Sequence, residues 1–234
     1  MSDFVPATNL AANKALVVDA NPPTPGSNSF TTVNPTDITV DITGDSDSGV
    51  GLAALPYNFR NITIDTYSGA TDLSVTFSSL TPNTSYSFEI GVYDALGNAA
   101  TTTASATTTR ANIPTSLSLT SVSTTEIGVT WNANSNPVGT EYLVTNETSN
   151  VDSGWTTDTS YNFTGLSPST SYTISVIARN SDDVETSSVS DSVTTTAAPV
   201  TSSTTHNTHG GSNRSVSTPT PSTPNPIIAF ITPP

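Results

Sequence analysis

The stretch LTPNTSYSFEIGVYD, Leu80–Asp94, returns little changed as LSPSTSYTISVIARN, Leu166–Asn180. In the second copy Tyr172, Ile174, Val176 and Ala178 are apolar, while Thr173, Ser175 and Arg179 between them are polar. Period two marks a strand with one buried face. Tyr86, Phe88, Ile90 and Val92 repeat the pattern in the first copy. A Leu-x-Pro-x-Thr-x-Tyr lead-in precedes each strand. Proline has no amide to give to a ladder, so it marks the corner where the chain changes sheets. The tyrosine that closes the lead-in is placed to bring its hydroxyl back to that corner's backbone.

Outward from this unit, each copy supplies further strands. In the second, Leu117 and Leu119 suit a first strand, Ile127, Val129 and Trp131 a second, and Tyr142 and Val144 a third. Tyr161 and Phe163 suit a fifth, and Val189 and Val193 the last. Turn-forming clusters at NANSNPVG, NETSNVDSG and NSDDVE separate them. In the first copy Ile38, Val40 and Ile42 form the second strand, Tyr57 and Phe59 the third, and Leu73, Val75 and Phe77 the fifth. β-branched residues dominate and no helical period persists, so the class is all-β.

Composition narrows the function. The chain has 234 residues, 33% hydrophobic and 10% charged, which suits two small cores with a polar remainder. Nineteen acidic against five basic residues give a net charge of −14. Such a polyanion repels phosphate backbones and anionic lipid, leaving cations and neutral surfaces as partners, with no nucleic acid. Cysteine is absent, which removes disulfides and thiolate chemistry. MSDFVPATNL has neither the basic start nor the apolar run of a secretory signal, and no run is long enough to span a membrane. The expectation is a piece of a longer extracellular or cell-surface protein, or a virion component.

Residues 113–197 resemble a fibronectin type III domain through Trp131, GWTTDTSYNFTGLSPSTSY and VIARN. Residues 24–109 resemble a more divergent relative, like the Ig-like and fibronectin-like repeats of bacterial surface and secreted proteins, through DSDSGVGLAALPYNF and YDALGN. The corner tyrosines are a device of immunoglobulin-like sandwiches. The resemblance implies two tandem sandwiches, with residues 1–23 as a strand and linker, 110–112 as a connector and 198–234 as an extended Ser/Thr/Pro-rich tail. It implies spacing, adhesion or service beside an enzyme, without choosing among them.

The inventory speaks against catalysis. Both histidines, His206 and His209, lie in the tail, and the one lysine, Lys14, lies in the N-terminal segment. No Ser–His–Asp, Schiff-base or P-loop chemistry can then be built inside either sandwich. Asp182, Asp183 and Glu185 share a loop, but paired carboxylates need a cleft. The expected function is a non-catalytic structural or adhesion module, or a filament subunit. The alternatives are a glycan-binding accessory region of a polysaccharide-degrading enzyme and a virion surface protein.

Three candidate sites follow. Asp45 and Asp47 in DSDSG, with Asp94 and Asn98 in YDALGN, lie on loops that leave one end of such a sandwich. Hard oxygen donors there suit calcium, although Asp and Asn are also ordinary turn formers. Trp155 is either a sugar-stacking platform for cell-surface glycan or a lid on the sandwich edge, with Tyr142 and Tyr67 as further exposed-aromatic candidates. Ile227, Ile228, Phe230 and Ile231 form an apolar island between Pro224, Pro226, Pro233 and Pro234. That island reads as a docking strand for another copy or a neighbouring repeat, with NKALVVD as its complement, or as the first strand of a following domain. Asn61, Asn83, Asn146, Asn162 and Asn213 all fit the Asn-x-Ser/Thr acceptor pattern.

Overall fold

The computed structural model describes residues 18–201. The first sandwich has one sheet of three strands in the order β1 (Ser27–Val33), β2 (Ile38–Thr43), β5 (Ser74–Phe77). The facing sheet runs β4 (Thr66–Ala70), β3 (Leu52–Asn61), β6 (Ser85–Asp94), β7 (Ala99–Thr101), and β8 (Ser105–Thr108) pairs with the other half of β6. Between them lie Ile38, Val40, Ile42, Phe59, Phe88, Ile90 and Val92, all fully buried. Each such side chain contributes about 1.5–3 kcal/mol of apolar transfer. The alternation read from the sequence is borne out along β6, where every second residue from Tyr86 to Asp94 is buried.

The second sandwich repeats the plan with β9 (Thr115–Ser121), β10 (Ile127–Asn132) and β13 (Ser160–Phe163) facing β12 (Val151–Asp152), β11 (Glu141–Asn146), β14 (Ser171–Arg179) and β15 (Val189–Thr194). Trp131 packs edge-on against Tyr142 at 5.6 Å in its core. Among the described residues there is no helix, and every strand pairing is antiparallel.

The corner works as the lead-in suggests, with the tyrosine as acceptor. The Thr81 amide donates to the Tyr86 hydroxyl at 2.9 Å, and the Ser167 amide to the Tyr172 hydroxyl at 2.8 Å. A second clamp was not foreseen. Thr109 accepts from the Thr84 amide and donates to the Thr81 carbonyl, and Thr195 does the same for Thr170 and Ser167.

One expectation needs correction, and further details were not foreseen. Leu73 precedes β5 and is 53% exposed, because β5 starts one residue later and turns only Val75 and Phe77 inward. Pro56 breaks the β3 ladder, where the register slips between Leu52 and Tyr57, and Leu55 faces solvent there. The last strand of the first copy is two pieces, split where the Thr102 hydroxyl accepts from the Ile90 amide. Of NKALVVD only Val18 and Asp19 are described, and neither is in a strand.

Candidate functional site

The YDALGN hairpin closes on Asp94, which is 1% exposed at the end of β6. Its Oδ1 accepts from the amides of Leu96 at 2.9 Å and Asn98 at 2.8 Å, and its Oδ2 accepts from Asn98 Nδ2. Burial pushes the Asp94 carboxyl up, but the hydrogen bonds from Asn98, Leu96 and Gly97 outweigh it, so Asp94 titrates below the ordinary carboxylate value. Asp47 is drawn in from the DSDSG loop, its Oδ2 accepting from the Gly49 and Gly51 amides at 3.2 and 2.6 Å.

The third acid is Asp19. Its Oδ2 accepts from the Val50 amide at 3.0 Å, and its carbonyl accepts from Asn98 Nδ2. A β-carbon on Gly49 would stand 1.6 Å from that carboxylate, so only glycine lets Asp19 in. Carboxylate oxygens of Asp19, Asp47 and Asp94 lie within 4.8 Å of one another. An all-oxygen set of this charge fits calcium in donor chemistry. Asp45 stands outside the cluster because its Oδ2 accepts from the Tyr57 hydroxyl at 2.8 Å. Burial, with Asp45 adding to it, pushes the Tyr57 phenol up to about 12. Nothing in the sequence pointed to Asp19 as a ligand, since it ends NKALVVD, a segment read as a short strand.

The second sandwich carries the same turn with an amide in place of the acid. Asn180 Oδ1 accepts from Asp182 and Val184, as Asp94 Oδ1 does from Leu96 and Asn98. Its Nδ2, buried, donates to the Thr109 carbonyl of the first sandwich at 3.2 Å. Asn83 crosses the same seam, accepting from the Ser181 amide at 2.8 Å and donating to the Thr140 hydroxyl at 2.9 Å. The connector is strapped on both sides: the Arg110 guanidinium donates to the Val33 carbonyl, and Asn112 exchanges hydrogen bonds with Asn136. The hollow beside the seam, lined by Asn83, Gly139, Glu141, Arg179, Asn180 and Ser181, measures about 240 Å³. That is below the roughly 300–1,000 Å³ of small-molecule pockets.

The remaining candidates scatter. Trp155 is half-buried, with the Arg179 guanidinium 4.2 Å from its ring centre. Tyr142 is a core residue, 2% exposed, and offers no surface. Tyr67 is 56% exposed on β4. Asp183 is paired with Arg179 at 2.7 Å. Asn61 and Asn146 are fully buried and act as turn clamps: their Oδ1 atoms accept from the Thr63 and Thr148 amides. Those threonines accept in turn from the Ser87 and Thr173 amides of the next strand. Asn-x-Thr at these two places is thus a folding element. The docking segment Ile227, Ile228, Phe230 and Ile231, the histidines His206 and His209, and Asn213 lie outside the described residues.

Residues 112–194 match the family model of the fibronectin type III domain. The chain is 32% identical over 171 residues to chitinase A1 of Niallia circulans, covering 68% of this chain and 24% of that protein. It is also 32% identical over 187 residues to exoglucanase B of Cellulomonas fimi, covering 71% of this chain and 16% of that protein. The chain thus spans about a quarter and a sixth of the lengths of these relatives. A two-domain fibronectin type III segment of chicken tenascin superposes with a TM-score of 0.51 at 13% identity, over 73% of this chain and 99% of that one. That likeness carries the fold across both sandwiches.

Proposed function

Residues 112–194 form a fibronectin type III domain, and from that premise we propose that the chain is a non-catalytic accessory segment of an exported multidomain protein. Its work is mechanical: it holds its neighbours at a set distance and orientation. The observation that carries this reading is the seam. Asn83 and Asn180 reach across it, and Arg110 and Asn112 strap the connector to either side. A freely jointed pair of modules has no use for a buried amide such as Asn180, whose burial costs free energy unless its hydrogen bonds are made.

The relatives support the setting. A chitinase and an exoglucanase share this region while most of their length lies elsewhere, which suits a segment that serves polysaccharide-degrading domains without doing the chemistry. The Asp19–Asp47–Asp94 cluster belongs to the same reading. Calcium held there would tie the chain entering the first sandwich to the DSDSG and YDALGN loops, as Asn180 ties the end of the first sandwich to the second at the seam.

The test is ¹⁵N relaxation on the full chain and on the variant Asn83→Ala/Asn180→Ala. One rotational correlation time shared by the two sandwiches, splitting into two shorter ones in the variant, is the expected result. Separate tumbling in the unaltered chain would overturn the spacer reading.

A further inference from the structure

The outward face of the sheet β4–β3–β6–β7 carries a row of small residues across four strands. Asn58 of β3 stands opposite Gly69 on one side and Gly91 on the other, and Gly91 stands opposite Thr101. Paired residues share a face, so Gly69, Asn58, Gly91 and Thr101 form a floor with two side chains missing. Strands spaced about 4.8 Å apart make that floor roughly 14 Å long, the length of a short oligosaccharide rather than one sugar.

One wall is the next row, Tyr67–Arg60–Glu89. The other is Tyr93, whose phenol leans over Gly91, with Cε2, Oη and Cζ at 3.3, 3.5 and 3.7 Å from where a β-carbon would stand. The hollow between Asn58, Arg60, Tyr67, Glu89, Tyr93 and Thr101 is about 110 Å³, well below the roughly 300–1,000 Å³ of enclosed small-molecule pockets, so an occupant lies along the open face of the sheet rather than inside a cavity. Both tyrosines are backed: Tyr93 by the glycine, and Tyr67 by the Arg60 guanidinium 5.2 Å from its ring centre.

The charges specify the occupant. Arg60 is the one cation lining the hollow, and it is already paired with Asp65 and Glu89, each at 2.9 Å. An anionic chain finds no free positive charge there, and the polar floor of Asn58 and Thr101 does not suit an apolar peptide. What fits is a chain that is uncharged, rich in hydroxyls and flat on its C–H faces, which rings can stack on while amides and hydroxyls hydrogen-bond its rim. We propose that this trench binds an uncharged polysaccharide, with Tyr67 and Tyr93 as stacking platforms and Asn58, Glu89 and Thr101 as hydrogen-bonding groups.

This deepens the accessory reading by naming what the first sandwich grips, and it fails separately, since the seam experiment reads tumbling and this one reads binding. The test is titration calorimetry of the full chain with cellohexaose, chitohexaose and, as a charged control, oligogalacturonate. The expected result is a Kd of about 1 mM or tighter for at least one uncharged probe and no heat with the control. Tyr67→Ala and Tyr93→Ala should each weaken binding about tenfold or more. Gly69→Thr is the variant that separates binding from folding. A β-carbon at Gly69 meets nothing nearer than 3.8 Å, so threonine fits the strand while its side chain stands on the floor beside Asn58 and obstructs a chain lying along that row, and binding should vanish with the melting temperature kept. Absence of heat with both uncharged probes, or binding that survives Gly69→Thr and disappears in Trp155→Ala, overturns the proposal.

Discussion

Replacing Tyr172 by phenylalanine removes one oxygen from the second sandwich and keeps the ring. The ring is 6% exposed, so its apolar transfer is nearly unchanged. What is lost is the acceptor for the Ser167 amide at 2.8 Å. Thr195 still donates to the Ser167 carbonyl and accepts from Thr170, so the corner cannot open to rescue that amide cheaply. A backbone donor stranded at a part-buried site costs about 1–2 kcal/mol. For a sandwich of this size about 1 kcal/mol moves the melting temperature by roughly 4–8 °C. Tyr86→Phe strands the Thr81 amide in the first sandwich by the same geometry and should cost the same. The corners belong to different cores, so the double variant should be additive within about 0.5 kcal/mol. Differential scanning calorimetry gives the totals, and amide exchange at Thr81 and Ser167 places the loss. A Tyr172→Phe chain that melts with the parent while the Ser167 amide stays protected would refute the reasoning.

Trp131→Ala empties a large buried side chain and should cost about 3–5 kcal/mol by denaturant titration, with the first sandwich unaffected. Tyr57 stays protonated to about 12 when folded, against 10.0 unfolded. Its contribution is therefore full below pH 10 and lost as the pH rises toward 12, and Tyr57→Phe should flatten that alkaline loss in a pH series of melts. Asp94 has a folded value below the ordinary 3.8. Its stabilisation is full above that pH and fades as the pH falls through the folded value, a dependence that Asp94→Asn should remove. If calcium occupies the Asp19–Asp47–Asp94 cluster, calcium at a hundred times its Kd should add about 2.7 kcal/mol to the first sandwich alone, reversed by chelator. Melts that are identical with calcium and with chelator would end the metal reading.

The cores were legible because each strand with one buried face writes its period into the sequence, as from Tyr86 to Val92 and from Tyr172 to Ala178. The corner tyrosines were legible because each follows the same Leu-x-Pro-x-Thr lead-in, Leu80–Tyr86 and Leu166–Tyr172, whose proline has few uses inside a ladder. The threonine clamps were not: Thr109 and Thr195 sit in runs of identical residues, TTTR and TTTA, where no letter stands out. Two of the three acids in the cluster were visible, since Asp47 and Asp94 lie on loops at one end. Asp19 was hidden because its approach depends on the missing side chain of Gly49, and Asp45 misled because its partner, Tyr57, lies twelve residues on in β3. The trench escaped notice for a related reason. It is made of glycines that pair across strands, Gly69 and Gly91 on either side of Asn58, a relation that exists only in register.

The seam has a consequence for inheritance. The two copies are alike wherever a clamp holds a sandwich together and unlike wherever one sandwich meets the other. Asn83 corresponds to Ser169 and Asn180 to Asp94 when the copies are aligned on their corner tyrosines. If the two were exchanged along the gene, both cores would form and every corner would close. Ser169 would then face the connector with a side chain too short to bridge, and Asp94, an acceptor only when ionised, would confront the carbonyl that Asn180 now satisfies. The modules are interchangeable as folds and ordered as neighbours, so recombination that shuffles them freely would be selected against at the seam and not in the cores.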